Sequence, residues 1–565
     1  MRWGPERTPE GTRFRLWAPD ADEVRVEVAG AVEPSLEHNV AMKRDAEGWL
    51  SATLPVGPGA RYRFRIGDTA VPDPASRVQA GGVNGWSVVP DTAYEWKTDW
   101  RGRPWHETVL VELHPGTLGG FTGIAEQLPA IAETGITAIE LMPIGAFGGS
   151  RGWGYDGVLP YAVHEAYGTP AELKALVDTA HGLGLSVFLD VVYNHFGPDG
   201  NYLGLYADSF FHAEAHTPWG GAVAVDKEPV ARFFIDNALM WLEEYRIDGL
   251  RFDAVHAIDN PAFLDRMAAE IRAALPDRHV HLVLENEGND AGRLRPDAFD
   301  AQWNDDFHNV LHVLLTGETS AYYGDFADGP AERLARCLAQ GFIYQGEGSP
   351  NHGGKPRGIP SGHLPPTAFV SFLQNHDQVG NRALGERLTV LTDREKLRAA
   401  TALLLLAPQI PLLFMGDTEG STSPFLFFTD FHDELADAVR EGRRREFVKF
   451  EAFADEKARE SIPDPNAEAT FTRSRPEPGP AAAEWRDLYR QLLTLRRERI
   501  VPHLADATPL GAEATGAAAV TARWRLGDGA TLGIAIDLSD APAPLPETGS
   551  PLFRESERFV AWIER

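Results

Sequence analysis

The spacing of apolar and polar residues divides the chain into three parts. In the first part, short segments such as 14–18, 24–28 and 61–66 alternate between apolar and polar positions and are separated by Gly and Pro. This alternation is typical of strands with one buried face, and several short strands at this spacing favour two packed sheets. We therefore predict an immunoglobulin-like β-sandwich at residues 1–95.

The pattern changes from about residue 107, where nearly continuous apolar segments replace the alternating ones. Segments at 108–113, 136–142 and 186–192 are typical of strands buried on both faces of a sheet. Amphipathic helices lie between such strands, for example at 231–245. The later predicted strands end at or near Asp253, Leu284, Leu373 and Met415.

Strands that alternate with helices over so long a stretch predict a parallel sheet with crossover helices. A dinucleotide-binding fold is disfavoured, because no Gly-x-Gly-x-x-Gly turn follows the first of these strands. A (β/α)8 TIM barrel with loop insertions at 96–498 fits better. Alternation returns at 520–526 and 531–536, which predicts a C-terminal all-β domain at 499–565. The predicted fold class is therefore a multidomain protein built around a TIM barrel.

Two helix starts carry capping signals. Thr169 is followed by Pro170 and by a Glu three residues later, which predicts a helix at 170–183. Thr392 and Glu395 repeat the Thr-x-x-Glu spacing, and we predict a second capped helix at 392–407.

Polar residues follow the predicted barrel strands, at the end where TIM barrels carry their reacting groups. Asp190 ends the third strand, Arg251 and Asp253 end the fourth, Glu285 follows the fifth and Asp377 follows the seventh. Arg251 and Asp253 alone would suggest an ordinary ion pair, because residues two apart lie on one face of a strand. Carboxyl groups at the same end of four strands are not expected of unrelated ion pairs, and they predict a catalytic site.

Four motifs in this order resemble those of the α-amylase superfamily of glycoside hydrolases: DVVYNH at 190–195, GLRFDA at 249–254, Glu285, and NHD at 375–377. The resemblance covers about residues 107–498. It implies that Asp253 is the nucleophile, Glu285 the general acid/base and Asp377 the stabiliser of the transition state.

The resemblance also implies which residues hold the sugar. His195 and His376 are expected to bind the sugar at the point of cleavage, and Arg251 is expected to keep Asp253 ionised. The predicted substrate-binding residues are Tyr155, Asp190, His195, Arg251, His256 and His376.

The chemistry agrees with these assignments. Retaining glycosidases need two carboxyl groups roughly 5–5.5 Å apart, and the ends of neighbouring strands can supply them. Arg251 should favour the charged form of Asp253. Glu285 must be protonated before cleavage, so we expect it in a drier and less positive place than Asp253.

Several segments narrow the choice within the superfamily. Residues 11–21 are similar to the N-terminal β-domain of branching enzymes, isoamylases and trehalose-releasing hydrolases. Other segments are most similar to the trehalose-releasing hydrolases: 152–157, 302–308, 312–318, 322–326, 427–431 and 442–447. This likeness implies cleavage of the α-1,4 bond next to the terminal trehalose unit of maltooligosyltrehalose, a substrate of the α-1,4-glucan class. It also implies functional coupling to an enzyme that forms that substrate.

Two other functions stay open. A glycogen branching enzyme, or another member acting on α-1,4 or α-1,6 glucans, would use the same covalent intermediate. A non-catalytic glucan-binding protein is the alternative from a different class. The complete set of carboxyl groups disfavours it, because a protein that only binds glucan needs no nucleophile.

Several loop residues are given expectations of their own. The stretch 416–480 is either a rim over the cleft or a structural insertion. Asp417 and Glu419 receive no role, because this loop departs from the Met-Gly-x-Glu-aromatic pattern of relatives. Asn194 matches a calcium ligand of many α-amylases, but we recognise no partner ligands in 196–229 and predict no metal and no cofactor. Aromatic residues after strands are expected to stack on sugar faces: Trp153, Tyr155, Tyr193, Phe425, Phe428 and Phe431.

Composition and charge limit the kinds of partner that the protein can bind. Hydrophobic residues make up 43% of the 565 residues and charged residues 24%, which is ordinary for a globular protein. The formal net charge of −29 argues against nucleic acid and anionic membranes as partners, but not against a neutral sugar. No run approaches the roughly 18 apolar residues of a membrane span. Cys337 is the only cysteine, and no apolar signal segment is recognised, so we expect a cytoplasmic protein.

Overall fold

The computed structural model describes residues 3–29, 38–217, 220–449, 453, 455–546 and 550–565. Its N-terminal part contains two antiparallel sheets, with strand orders β1-β2-β6-β5 and β4-β3-β7-β10-β9, and with β8 paired to β7. Alternate residues such as Phe14, Val26 and Phe64 are buried, so the predicted β-sandwich is confirmed. The strands are β1 (Glu6–Thr8), β2 (Gly11–Trp17), β3 (Val24–Ala29), β4 (His38–Ala41), β5 (Lys43–Arg44), β6 (Trp49–Leu54), β7 (Arg61–Ile66), β8 (Thr69–Val71), β9 (Gln79–Ala80) and β10 (Trp86–Val88).

The central part is a closed barrel of eight parallel strands in the order β11-β12-β15-β18-β19-β20-β23-β24. This confirms the predicted TIM barrel. The remaining strands of this region form three hairpins, β13-β14, β16-β17 and β21-β22. The bounds are β11 (Leu110–Leu113), β12 (Ala138–Leu141), β13 (Gly145–Phe147), β14 (Gly157–Val163), β15 (Ser186–Val191), β16 (Phe211–Thr217), β17 (Gly220–Val223), β18 (Gly249–Phe252), β19 (His281–Leu284), β20 (Ala301–Trp303), β21 (Gly348–Ser349), β22 (Lys355–Pro356), β23 (Phe369–Ser371) and β24 (Ile410–Phe414).

Fourteen α-helices are assigned among the described residues, and most of them connect the barrel strands. The long connection after β24 contains three of them before the helix that closes the series. The bounds are α1 (Gly120–Thr134), α2 (Pro170–Gly182), α3 (Leu203–Tyr206), α4 (Glu228–Glu244), α5 (Pro261–Ala274), α6 (Asp305–Thr316), α7 (Pro330–Gln340), α8 (His376–Gly380), α9 (Leu388–Leu391), α10 (Arg394–Leu406), α11 (Asp433–Glu446), α12 (Glu456–Arg459), α13 (Glu468–Arg473) and α14 (Ala482–Leu495).

The two predicted helix caps have different outcomes. Thr169 and Glu172 form the expected capping box at the start of α2. The cap of α10 is wrong by one residue: Asp393 accepts the first amides of the helix, and the Thr392 hydroxyl donates instead to the carbonyl oxygen of Leu315 at 2.5 Å. A carboxylate is an equally good cap, so the nearby Asp is used while the Thr fixes a neighbouring helix.

The barrel interior changes character along its axis. The part nearer the amino ends of the strands is apolar and contains Leu110, Phe188 and Ile410 among its fully buried side chains. Nearer the carboxyl ends, charged side chains replace them, and Glu112 and Glu140 are paired positions of β11 and β12. Strand alternation places Glu112 in the interior as well, because it is two residues from Leu110 and residues two apart point to the same side. The charged layer lies directly under the carboxyl end of the barrel, where the predicted site residues are found.

The C-terminal part is a five-stranded antiparallel sheet in the order β25-β26-β27-β29-β28, which confirms the predicted all-β domain. It packs on the barrel helices, where Arg398 of α10 contacts Glu555 at 2.6 Å. The exact domain boundaries at 95/96 and 498/499 stay predictions. No helix in the described part of the chain is long and apolar enough to cross a membrane. The strands are β25 (Thr508–Gly516), β26 (Ala519–Arg525), β27 (Thr531–Asp537), β28 (Phe553–Glu555) and β29 (Phe559–Glu564).

Close packing inside the barrel predicts the effect of one methyl group. Gly249 begins β18 opposite Phe188 of β15, and a Cβ at this position would lie 2.2 Å from the phenyl ring. We expect Gly249→Ala to lower the free energy of unfolding by about 1–3 kcal/mol, because an overpacked core must shift. Urea unfolding measures it. Gly204→Ala in α3 is the control, because no atom outside its own chain neighbours and helix backbone lies within 4 Å of the added methyl. An equal loss in both variants would contradict the packing.

Candidate active site

The carboxyl ends of the barrel strands surround an open cleft of about 560 Å³. The three residues predicted to be catalytic, Asp253, Glu285 and Asp377, all contribute to its lining. They come from the ends of β18 and β19 and from the start of α8. The fold therefore brings together carboxyl groups that are up to 124 residues apart in sequence.

Arg251 is the hub of this site. Its side chain is fully buried, and its guanidinium lies 4.1 Å from the centre of the Trp303 ring. Nη1 donates to Asp190 Oδ2 at 2.6 Å and to Asp253 Oδ1 at 2.9 Å. Nη2 lies 2.9 Å from Glu285 Oε2. One cation is thus shared by three carboxyl groups, which fixes their relative positions.

Asp253 follows β18 and is held by two side chains. Its Oδ2 accepts a hydrogen bond of 2.8 Å from the amide of Asn194, while Oδ1 contacts Arg251. Burial raises the pKa of Asp253, Arg251 opposes the rise, and the charge of Asp190 adds to it. The expectation that Arg251 favours the charged form holds for that one interaction, but burial leaves the pKa above its ordinary value.

Glu285 lies closer to positive charge than we expected. The same guanidinium that contacts Asp253 also contacts Glu285, and the Ala254 amide donates to Glu285 Oε2 at 2.7 Å. Ala254 adopts a left-handed conformation with φ of 41°, which is uncommon for a residue with a Cβ. Burial nevertheless raises the pKa of Glu285, with Arg251 opposing the rise and Asp253 adding to it. The site is therefore dry as predicted, but the prediction of a less positive place is wrong.

Asp377 is held at the start of the short helix α8. The side chain of Asn375 accepts hydrogen bonds from the amides of Asp377 and Gln378 and so caps this helix. Asn381, one turn later, donates to Asp377 Oδ1 at 3.1 Å. The carboxyl group is exposed enough to meet a ligand, and its backbone is fixed from the N-terminal side.

His376 lies next to Asp377 and is charged at neutral pH. Its Nδ1 lies 2.5 Å from Glu112 Oε1, and its ring stacks on Tyr155 at 4.9 Å. Burial alone would lower the pKa of His376, but the carboxylates of Glu112 and Asp377 outweigh it and raise the pKa to about 9. His376 is therefore a second buried cation near Arg251, and the Tyr155 ring contacts both.

The other predicted substrate-binding residues separate into two groups. Tyr155, His195 and His256 line the cleft together with His376. Burial lowers the pKa of His195 to about 4, so this ring is neutral. Asp190 and Arg251 are buried beneath the cleft surface and do not line it. Their geometry suits the positioning of Asp253 better than direct contact with a sugar.

Only part of the predicted aromatic set lines the cleft. Trp153 and Tyr155 line the cleft. Tyr193 is instead buried, and Phe425 stacks against Trp153 from behind at 5.3 Å. Phe427 lines the cleft while Phe425 and Phe428 on either side of it are buried, so the path of the loop, and not a repeating spacing, decides which ring is accessible. The buried set, in which no sugar can be reached, is Tyr193, Phe425, Phe428 and Phe431.

Sequence reasoning missed several residues of the cleft. Asp305 begins α6, and burial raises its pKa to about 8, with the charge of Glu285 adding to the rise. It lies in the segment 302–308 but received no individual role, because the preceding strand, β20, has only three residues and gives no periodic signal that would place Asp305 at a strand end. The lining residues that we did not single out are Asp156, Ala254, Glu287, Asp305, Asn309, Tyr322, Asp325, Phe326, Asn351, His352, Arg357, Gln378, Asn381, Phe427 and Glu446.

Three residues without a predicted role have structural partners. The side-chain amide of Asn194 donates to Asp253, so this amide contacts a carboxylate of the site. Asp417 is held behind β24 by Gln374 at 2.7 Å, and Glu419 pairs with Arg486 at 2.8 Å away from the cleft. Among the described residues, no group of three or more His, Cys, Asp or Glu side chains could hold a metal ion.

Comparison with known families gives matches in all three parts of the chain. Residues 85–217 match the alpha amylase catalytic domain, and residues 2–80 match carbohydrate-binding module 48, the isoamylase N-terminal domain. Residues 509–559 match a family described only as a domain of unknown function.

Individual proteins are similar over most of the chain. A malto-oligosyltrehalose trehalohydrolase from Deinococcus radiodurans is 43% identical over 87% of this chain and 82% of its own length. One from Saccharolobus solfataricus is 38% identical over 88% of this chain and 87% of its own. The crystal structure of a putative alpha amylase from Salmonella typhimurium superposes with a TM-score of 0.93 at 45% identity, covering 100% of this chain and 99% of that one.

The His376–Glu112 pair predicts a change in titration. Glu112→Gln removes the carboxylate that raises the pKa of His376, so the pKa is expected to fall from about 9 to the ordinary value of about 6.5 or below. Histidine proton NMR across pH measures it, with the His376 signal identified by its loss in His376→Gln. Glu126→Gln, on the exposed side of α1, is the control. A His376 signal that still titrates near pH 9 in Glu112→Gln would refute this account.

Proposed function

The chain belongs to the malto-oligosyltrehalose trehalohydrolase family of α-amylase-type glycoside hydrolases, and we propose the corresponding reaction for its cleft. It hydrolyses the α-1,4-glucosidic bond next to the terminal trehalose unit of a maltooligosyltrehalose and releases trehalose. Bond cleavage proceeds by a retaining double displacement. The proposal assigns the nucleophile to Asp253, the general acid/base to Glu285 and the stabiliser to Asp377.

The observation that carries these assignments is the shared guanidinium of Arg251. Its two nitrogens reach Asp253 and Glu285 separately, at 2.9 Å each, so the two carboxyl groups are held side by side at the cleft surface. A retaining glycosidase requires such a pair, roughly 5–5.5 Å apart, whereas an inverting one requires room for a water between them. The contact with one cation therefore supports the retaining mechanism.

In the first step, an oxygen of Asp253 attacks the anomeric carbon of the glucose unit next to trehalose. Glu285 gives its proton to the bridging oxygen, the C–O bond breaks, and trehalose leaves. Burial keeps the pKa of Glu285 above its ordinary value, which favours the protonated form that this step needs. The remaining sugar chain is then joined to Asp253 as an ester.

In the second step, Glu285 takes a proton from a water molecule, which attacks the same anomeric carbon. The bond to Asp253 breaks, and the carboxylate returns to its contact with Arg251. Two displacements at one carbon restore the original configuration, so the new hemiacetal is the α-anomer.

The neighbouring side chains support binding of the sugar that reacts. His195 is neutral and His376 is charged, so the first can donate and accept while the second donates only. Tyr155 offers an aromatic face beside them, stacked on the His376 ring. Asp377 accepts from sugar hydroxyls as the ring flattens towards an oxocarbenium ion, where these hydrogen bonds strengthen.

The proposal extends to the setting of the reaction. We propose functional coupling to an enzyme that forms maltooligosyltrehalose, because such an enzyme must supply the substrate. We also propose a cytoplasmic location, because the one cysteine, Cys337, is buried and free, in keeping with a reducing compartment.

Removal of either reacting carboxyl group should stop turnover. We expect Asp253→Ala and Glu285→Gln each to lower kcat at least about 10³-fold, because double displacement needs both groups. Steady-state release of trehalose measures it. Glu419→Gln serves as the control, because Glu419 pairs with Arg486 outside the cleft and should keep normal activity. Near-normal turnover in either active-site variant would remove the corresponding assignment.

The products distinguish this function from the alternatives. Incubation with maltooligosyltrehalose should release trehalose and, by early-time NMR, an α-anomeric glucan end. Separate incubation with amylose should give no branches. New α-1,6 branches would indicate a branching enzyme, an initial β-anomer would exclude double displacement, and binding without turnover would indicate a glucan-binding protein.

A further inference from the structure

Helix α11 belongs to the long connection between β24 and α14, and one of its arginines is buried. The side chain of Arg443 is 7% exposed, whereas Arg440 and Arg444 on the same helix are 31% and 28% exposed. Its guanidinium packs over the rings of Phe427 and Phe447, at 5.3 Å and 4.7 Å. Burying a guanidinium is costly unless its donors are satisfied, so the partners of Arg443 indicate what it does.

Those partners are carbonyl groups next to the catalytic cleft. Nη2 of Arg443 donates to the carbonyl oxygen of Gly380 at 2.7 Å and to that of Arg382 at 3.1 Å. Gly380 is the last residue of α8, the helix that carries Asp377. The last carbonyls of a helix have no partner within it, and a cation near them is favourable.

Helix α8 depends on such contacts because it is short. It has five residues, fewer than a helix needs to be stable by itself. Asn375 caps its first amides, and Arg443 meets its last carbonyl. Gly380 is also closed in from the other side, where an added Cβ would lie 2.1 Å from the Trp153 ring. Both ends of the segment that presents Asp377 are thereby held.

The same arginine reaches the cleft by a second route. Its Nη1 donates to Glu446 Oε2 at 2.9 Å, and Glu446 lines the cleft together with Asp377 and Asn381. The Glu446 side chain is 61% exposed, so one face of it is open to a ligand. Any effect of Arg443 could therefore pass through Asp377 or through Glu446, and an experiment must separate the two.

We propose that Arg443 is a positioning residue of the reaction, which fixes the end of α8 and thereby the carboxyl group of Asp377. The proposal rests on the assignment of Asp377 as stabiliser under the proposed function. It gives the long connection after β24 a part in catalysis, since the loop supplies the buried cation that closes the helix. Arg443 itself touches no reacting atom.

The test compares Arg443→Met, Arg443→Lys, Asp377→Asn and the double variant Asp377→Asn/Arg443→Met. Arg443→Met should lower kcat for trehalose release about 10–100-fold with KM within about threefold, because a small displacement of a reacting group is costly. Arg443→Lys retains the charge and one donor nitrogen, and should recover part of kcat. Arg444→Met is the matched control, because Arg444 pairs only with Glu441 of its own helix among the contacts described, and it should keep the parent kcat.

The double variant decides the route. If Arg443 acts through Asp377, Asp377→Asn/Arg443→Met should be no slower than Asp377→Asn alone, because the group being positioned is already lost. Losses that multiply would overturn the proposal. Glu446→Gln should raise KM without reproducing the loss in kcat; if it reproduces that loss, the route through Asp377 is likewise overturned.

Failure of this inference is distinguishable from failure of the proposed function. A kcat for Asp377→Asn near that of the parent would remove the assignment of Asp377 and with it the premise. A large loss in Asp377→Asn with parent-like kcat in Arg443→Met would overturn the inference alone. Thermal unfolding identifies a variant that does not fold, and if Arg443→Met is such a variant, Arg443→Lys and its double with Asp377→Asn carry the same comparison.

Discussion

The site depends on one buried cation. Arg251 has no exposed side-chain surface, so its charge is stable there only because carboxyl groups from three strand ends surround it. Asp190, Asp253 and Glu285 come from consecutive strands of the barrel, β15, β18 and β19, and the Trp303 ring of β20 covers the flat face of the guanidinium. Loss of the cation would leave three carboxyl groups crowded in a dry place. The same requirement that stabilises Arg251 therefore assembles the catalytic pair.

Neighbouring carboxyl groups also stabilise a second buried cation in this site, His376. His376 is charged because it forms an ion pair with Glu112, and the Tyr155 ring lies between this pair and Arg251. Between the two cations stands Glu140, whose carboxyl oxygens have no hydrogen-bond partner among the described residues; burial raises its pKa well above the ordinary value. The raised pKa favours the neutral form of Glu140, which adds no further charge to the layer. The upper barrel thus gives up apolar packing in order to hold charged groups in fixed positions, as functional sites commonly do.

The sequence predicted what repeats and missed what depends on a single contact. Strand burial and strand-end carboxyl groups recur around the barrel, so the fold and the positions of Asp253, Glu285 and Asp377 at one rim could be inferred. Strand β20 was missed because three residues carry no period. Which aromatic residues of the 425–431 loop face the cleft is decided by its path through space, and the contact between Glu285 and Arg251 by the register of two strands. Neither the accessible ring nor this contact can be predicted from the spacing of residues along the sequence.

The two guanidinium nitrogens of Arg251 affect how the pH range of activity could be changed. Because its two nitrogens serve Asp253 and Glu285 at once, these carboxyl groups titrate as a coupled pair and not as independent sites. A change that weakens the positive field of the guanidinium raises both pKa values together, so the acidic and the alkaline limits of activity move upward in step. The range of working pH then shifts along the scale, while its width depends on the contacts that the two carboxyl groups do not share, such as Asn194 for Asp253 and the Ala254 amide for Glu285. An engineer who wished to widen that range would alter one of these separate contacts and leave the guanidinium in place.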